Sequence, residues 1–207
     1  MSRRSRYSRS ESLNRAMEVF WNRGYQGTSL KDLESSLDMR PGSIYAAFGS
    51  KEGLFMEALD LYARGMGDEM TAWTQAPSLA HGMQDYFHAL ADGRRQGPAV
   101  GAGRACLMVK SLLEAADTEP VVLRHAEAFL SDAEARFAVM LEVAMDRGEL
   151  PPGLDCPRLA RHLQSQIMGL RVILQRPGLS RAQRFELADD MLAGFLAVAG
   201  IDPPSAH

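Results

Sequence analysis

Arg40, Ser43 and Lys51 place hydrogen-bond donors within one short stretch, and their chemistry is recognition rather than bond breaking. An arginine can grip a guanine edge with two parallel N–H bonds, and a serine can pair with any base edge. Ala46 and Ala47, between them in sequence, offer only apolar contact, which suits a thymine methyl. Lys51 follows Ser50, a residue suited to capping a helix. A helix N-terminus with free N–H donors and an added ammonium is a good phosphate holder. Catalytic patterns are missing: the chain has no P-loop, dinucleotide glycine fingerprint, HExxH or GxSxG. His81, His88, His125, His162 and His207 are scattered and lack thiol or carboxylate partners at ligand spacing, so no metal site and no cofactor is expected. The chain does not read as an enzyme.

These residues need short helices to present them. Ser8 with Glu11 fits a capping box, and Leu13, Ala16, Met17 and Phe20 then keep helical spacing to about Arg23. Gly24 is placed to end that helix with a positive φ. Thr28 or Ser29 caps a second helix whose Leu30, Leu33 and Leu37 point inward, and Asp38 tolerates the left-handed turn that follows. Pro41 suits the first position of a third helix, to about Phe48, which buries Ile44 and Phe48. Gly42, Ser43, Tyr45, Ala46 and Ala47 are left facing solvent or a partner. A helix pair joined so tightly typically puts its second helix into the major groove of DNA. Arg3, Arg4, Arg6 and Arg9 form a polar arm suited to phosphates or a minor groove.

The ordered set resembles the TetR family of one-component transcriptional regulators over roughly residues 8 to 56. It comprises Phe20 and Gly24-Tyr25, then Thr28-Ser29-Leu30 and Leu33, then Gly42-Ser43-Ile44-Tyr45 and Phe48, and finally Ser50-Lys51-Glu52 with Leu54-Phe55. The resemblance implies that Tyr45 and Lys51 hold phosphates, that Thr28 and Ser29 hold the opposite strand's backbone, and that Arg40, Gly42, Ser43 and Ala46 lie on the base-facing stretch. The chain departs from the usual pattern at Asp38, where the family often has glycine. It departs again at Arg40, a small polar cap in many members, and at Ala46 and Ala47, where a large polar residue is common. Direct readout is therefore expected from Arg40 and Ser43.

The 207 residues carry a net charge of −3, which does not look like a DNA binder until it is divided. Residues 1–51 hold nine Lys and Arg against five Asp and Glu, a net +4, and residues 52–207 hold fourteen against twenty-one, a net −7. A basic head on an acidic body orients a molecule on a polyanion. The expected division is a helix-turn-helix head at 1–51 and a ligand-binding and dimerisation body at 52–207. No apolar stretch follows the arginine-rich N-terminus and no run is long enough to span a bilayer, so a cytoplasmic protein is expected. Cys106 and Cys156, without CxxC spacing, read as unpaired thiols.

The body reads as helices throughout, for an all-α chain of about nine. One runs from Ser50 to about Thr74, the next follows Pro77-Ser78, and a Gly-Pro-Ala-Val-Gly-Ala-Gly loop occupies 97–103. Further helices are expected from Arg104 to Ala116, from Pro120 to about Arg147, over 156–176 behind Asp155, and over 181–199 behind a Ser180/Gln183 capping box. By resemblance the last two pair with a second subunit, with Leu163, Ile167, Leu170, Phe195 and Leu196 on the dimer face. The effector pocket is expected among Met66, Met70, Trp73, Phe87, Met108, Phe137, Met168 and Arg171, since methionine adapts to irregular ligands. Ala105-Cys106-Leu107-Met108 with Leu113-Glu114 is similar to a Gly-Cys-Leu signature in a subset of these regulators, with alanine for the glycine.

The leading reading is a homodimeric repressor that leaves double-stranded operator DNA when a small molecule, not identified by the sequence, enters the body. One alternative makes Cys106 a redox or electrophile-sensing thiol. The other is a helical protein–protein adaptor without sequence-specific DNA binding.

Overall fold

A computed structural model describes residues 8–93, 106–115 and 120–201. The arginines of the expected arm at positions 3, 4 and 6, the 97–103 loop, Arg104, His207 and the side chain of Met70 lie outside the described residues. Among those described the chain is helical, with nine helices and no strand: α1 (Arg9–Arg23), α2 (Leu30–Leu37), α3 (Pro41–Phe48), α4 (Lys51–Thr74), α5 (Leu79–Asp92), α6 (Leu107–Ala115), α7 (Pro120–Asp146), α8 (Cys156–Ile173) and α9 (Arg181–Ala199). They form two compact units, built from the described residues of Met1–Gly65 with Leu107–Glu127 and of Met66–Cys106 with Ala128–His207.

In the first unit the ends of α1 and α2 have local causes. Ser8 and Glu11 close a capping box on α1. Gly24 ends α1 at φ 76°, a conformation that side chains resist. Ser29 and Asp32 close a second capping box on α2, so Ser29 is the cap and Thr28 is not. Asp38 turns α2 into α3 at φ 49°, ψ 43°, the one non-glycine positive φ among the described residues. Phe20, Leu33, Leu37, Ile44, Leu54 and Phe55 have no exposed surface and form the small core. Phe20 and Phe55 meet edge to face at 4.7 Å, which adds about 0.5–1.5 kcal/mol beyond area burial.

The second unit has a larger core, drawn from Trp73, α5, the second half of α7, α8 and α9. The expected dimer residues Leu163, Ile167, Leu170, Phe195 and Leu196 all belong to it. This corrects the reading of α8 and α9: those side chains pack inside their own chain and present no surface to a partner. Periodicity marks an apolar stripe without saying whose core it enters. The outward faces carry Arg161, Ser165, Gly169 and Val172 on α8, and Asp190, Gly194, Ala197 and Val198 on α9.

Candidate nucleic-acid interface

The second helix of the pair, α3, begins at Pro41, whose missing N–H is harmless in a first turn. Arg40 occupies the cap position in extended backbone, and its side chain makes no capping hydrogen bond. A guanidinium is thus held at the helix entrance, exposed, with Ser43 half-buried one turn further on. Both line an open cleft of about 330 Å³ between α2 and α3, together with Lys31, Glu34, Ser35, Asp38 and Met39. Lys31 was not anticipated. Its place in the first turn of a helix capped by exposed Ser29 was the available signal.

Tyr45 is 48% exposed, and Ala46 and Ala47 beside it are exposed too. Gly42 lies in the first turn of α3, and a Cβ built there would meet no atom within 4 Å. Its φ is not positive. The fold therefore gives no reason for glycine at this position, although glycine in a helix costs about 0.5–1 kcal/mol relative to alanine.

Lys51 opens α4, and the Ser50 Oγ accepts from the Gly53 N–H at 2.9 Å as the expected cap does. The Lys51 Nζ lies 4.3 Å over the Tyr25 ring, which steadies a side chain that would otherwise sweep freely. Ser29 is exposed at the start of α2, its hydroxyl 2.6 Å from an Asp32 carboxylate oxygen. That hydroxyl first, then the Ser29 N–H, then the charge of Arg23, hold the Asp32 carboxyl below the usual carboxylate range. Thr28 departs from expectation. It is 1% exposed, and its hydroxyl donates to the Gly24 carbonyl at 2.6 Å. Its side chain braces the turn from α1 to α2 and is turned away from any strand outside. Arg9 departs too, being the first residue of α1, paired with Glu57 at 2.7 Å and stacked over Phe48 at 4.9 Å.

Of the residues expected around an effector, the second unit gathers Met66, Trp73, Phe87, Phe137 and Arg171, with Met168 half-buried. Met108 is buried in α6, in the first unit. Arg171 is 2% exposed and donates from Nη2 to the Tyr86 hydroxyl at 2.9 Å and to the Met66 sulfur at 3.5 Å. Trp73 packs on Tyr86 at 4.6 Å and on Phe137 at 5.7 Å, and its buried Nε1 has no hydrogen-bond partner. Tyr86, missed in the sequence, is the group that joins the arginine to the tryptophan. Cys106 is 6% exposed. Cys156 is buried as well, and desolvation, then Glu142, Asp155 and Asp146, push its thiol up, which disfavours the reactive thiolate. Among the described residues His81 bonds Ser78, His88 pairs with Asp189 and His125 with Asp60. No described helix is long and apolar enough to cross a membrane.

Residues 13–58 match the family model described as bacterial regulatory proteins, tetR family, and residues 84–181 match one described as the tetracyclin repressor-like C-terminal domain. An uncharacterized HTH-type transcriptional regulator of Bacillus subtilis, YezE, is 32% identical over 179 residues, 84% of this chain and 89% of that protein. The HTH-type transcriptional repressor ComR of Escherichia coli is 28% identical over 190 residues, 90% of this chain and 88% of its own. A cysteine mutant of the TetR family regulator CifR, solved in complex with 26 bp of double-strand operator DNA, superposes with a TM-score of 0.78 at 30% identity, covering 93% of this chain and 98% of its own.

Proposed function

Since this chain belongs to the TetR family and is a DNA-binding transcriptional regulator, we propose that it is a homodimeric repressor released from its operator by a small molecule. Residues 1–51 supply the DNA-facing surface of the reading head, and the effector-binding and dimerisation body lies within 52–207. On DNA, Arg40 takes a guanine, Ser43 a neighbouring base edge and Ala46 a thymine methyl. Tyr45, Lys51 and Ser29, joined by Lys31, hold phosphates, while the backbone at Gly42 comes close to the duplex. Two heads roughly 34 Å apart fit successive major grooves. The outward faces of α8 and α9 pair the subunits: Gly194, where a Cβ would meet nothing within 4 Å, allows close approach, and Val172 and Val198 supply apolar surface.

The observation that carries the effector reading is the polar group inside the body's core, Arg171 on Tyr86 beside the unpartnered Trp73 Nε1. Buried polar groups without a partner cost about 1–3 kcal/mol, so a fold keeps them where they serve something. An effector that prefers a body geometry other than the DNA-binding one shifts the population away from DNA by its differential affinity. The cysteine alternative is disfavoured by the burial of Cys106, and the adaptor alternative by likeness to a relative solved on operator DNA.

The test uses a duplex enriched from a random library by the wild-type protein. Aromatic carboxylic acids and their neutral amides are screened for release, with Arg171→Met as the comparison. Release by a member of the panel, lost in Arg171→Met while basal DNA binding persists, is the expected result. An Arg171→Met protein that responds as wild type does removes the body core from the mechanism.

A further inference from the structure

The turn from α1 to α2, at Gly24 and Tyr25, is gripped by α6. The Glu114 carboxylate accepts from the Tyr25 N–H at 2.9 Å. It also fills the space where a Cβ on Gly24 would sit, so glycine is required there twice, for its φ and for its missing side chain. One helical turn earlier, the Lys110 Nζ donates to the carbonyls of Trp21 and Asn22 at 3.1 and 3.2 Å. Those carbonyls lie in the last turn of α1, where C=O groups lack helical partners and the helix dipole is negative. A cation on the carbonyls and a carboxylate on the N–H just past them match that polarity at both points. Lys110 and Glu114 also approach each other at 4.0 Å.

The grip extends to the phosphate-holding side chains. Tyr25, fixed at its backbone by Glu114, lies 4.8 Å from the Phe55 ring and carries the Lys51 ammonium on its face. Thr28, hydrogen-bonded to Gly24, ties the same turn to Ser29 and the start of α2. We propose that Lys110 and Glu114 are positioning residues for DNA binding: from α6 they fix the Gly24-Tyr25 turn and through it the aim of Lys51 and of the α2 N-terminus. They touch no DNA themselves. The working DNA-binding unit then includes α6, as its place in the first compact unit suggests. This rests on the DNA-binding reading above.

The experiment uses the full chain with Lys110→Met, Lys110→Arg, Glu114→Ala and the shape-preserving Glu114→Gln. Affinity for the library-enriched duplex is measured across salt concentrations, with the melting temperature and the exchange rate of the Tyr25 amide alongside. Lys110→Met and Glu114→Ala are expected to weaken binding about tenfold, as when only one head in ten holds the competent geometry. Their salt slope stays at the wild-type value, the Tyr25 amide exchanges faster in Glu114→Ala, and Lys110→Arg restores affinity. Unchanged affinity in folded Lys110→Met and Glu114→Ala, whatever the melting temperature, reduces the pair to a structural staple and overturns the proposal, whereas Glu114→Gln, which keeps an acceptor for the Tyr25 N–H, should bind nearly as wild type does. A salt slope shallower by about one in Lys110→Met makes Lys110 a phosphate contact, which overturns it too. Should the wild-type chain itself show no salt-dependent duplex binding, the DNA-binding reading falls first and the proposal with it.

Discussion

Gly42→Ala should make the protein more stable and worse at its work. The added methyl enters open space, since nothing lies within 4 Å of it, and the backbone is already helical. Replacing glycine by alanine at such a site gains about 0.5–1 kcal/mol, chiefly by narrowing the unfolded ensemble. For a chain of this size that raises the melting temperature by about 1–4 °C. If the Gly42 backbone approaches DNA closely, the same methyl is overpacked in the complex at about 1–3 kcal/mol, or about 5- to 150-fold in affinity. Thermal unfolding followed by circular dichroism and fluorescence anisotropy on the enriched duplex read the two effects separately. A variant that is stabilised but binds as wild type does removes the close approach. A variant that loses stability refutes the reasoning about the free fold.

Phe195→Ala should cost about 3–5 kcal/mol of stability, because the ring is wholly inside the monomer's core. Val198→Asp, at a residue 59% exposed, should leave the melt within about 0.5 kcal/mol yet yield monomers by sedimentation; a Val198→Asp dimer places the interface elsewhere. Asp32 and Glu11 both have lowered carboxyls, Glu11 through the Ser8 N–H first and then its hydroxyl. Their contribution is present above the unfolded-state value and is lost as pH falls through the folded one, so the starts of α1 and α2 should fray below about pH 4, seen as faster Ser29 amide exchange, and Asp32→Asn should lack the α2 part of that dependence. Iodoacetamide should label neither Cys106 nor Cys156 appreciably in the native protein, and Cys106→Ser should leave release by the effector unchanged; rapid labelling of Cys106 would revive the thiol mechanism.

The features legible in the sequence were those whose causes are local. Ser8 with Glu11, Ser180 with Gln183, Gly24 and Asp38 each act within a turn of where they stand, and the structure has each helix end where they put it. Three kinds of fact stayed out of reach. The apolar stripes of α8 and α9 look the same whether they enter their own core or a partner's, so Leu163 and Phe195 were given to the wrong side. Thr28 and Ser29 are both capping residues, and only the packed turn reveals that one faces Gly24 and the other solvent. Contacts such as Glu114 on Tyr25 and Arg171 on Tyr86 join residues far apart in sequence through single side chains, and no periodicity records them.

The claim at the centre is that α3 and the start of α4 read and hold duplex DNA. Its most direct test is the salt dependence and sequence preference of binding by wild type, Lys51→Ala and Arg40→Ala on the enriched duplex and its single-base variants. Lys51→Ala should weaken binding about equally on every sequence, with the slope of log K against log salt shallower by about one, whereas Arg40→Ala should lose about 1–3 kcal/mol and cease to discriminate at one guanine. A Lys51→Ala protein with an unchanged slope, or an Arg40→Ala protein that still discriminates at every position, would contradict the account.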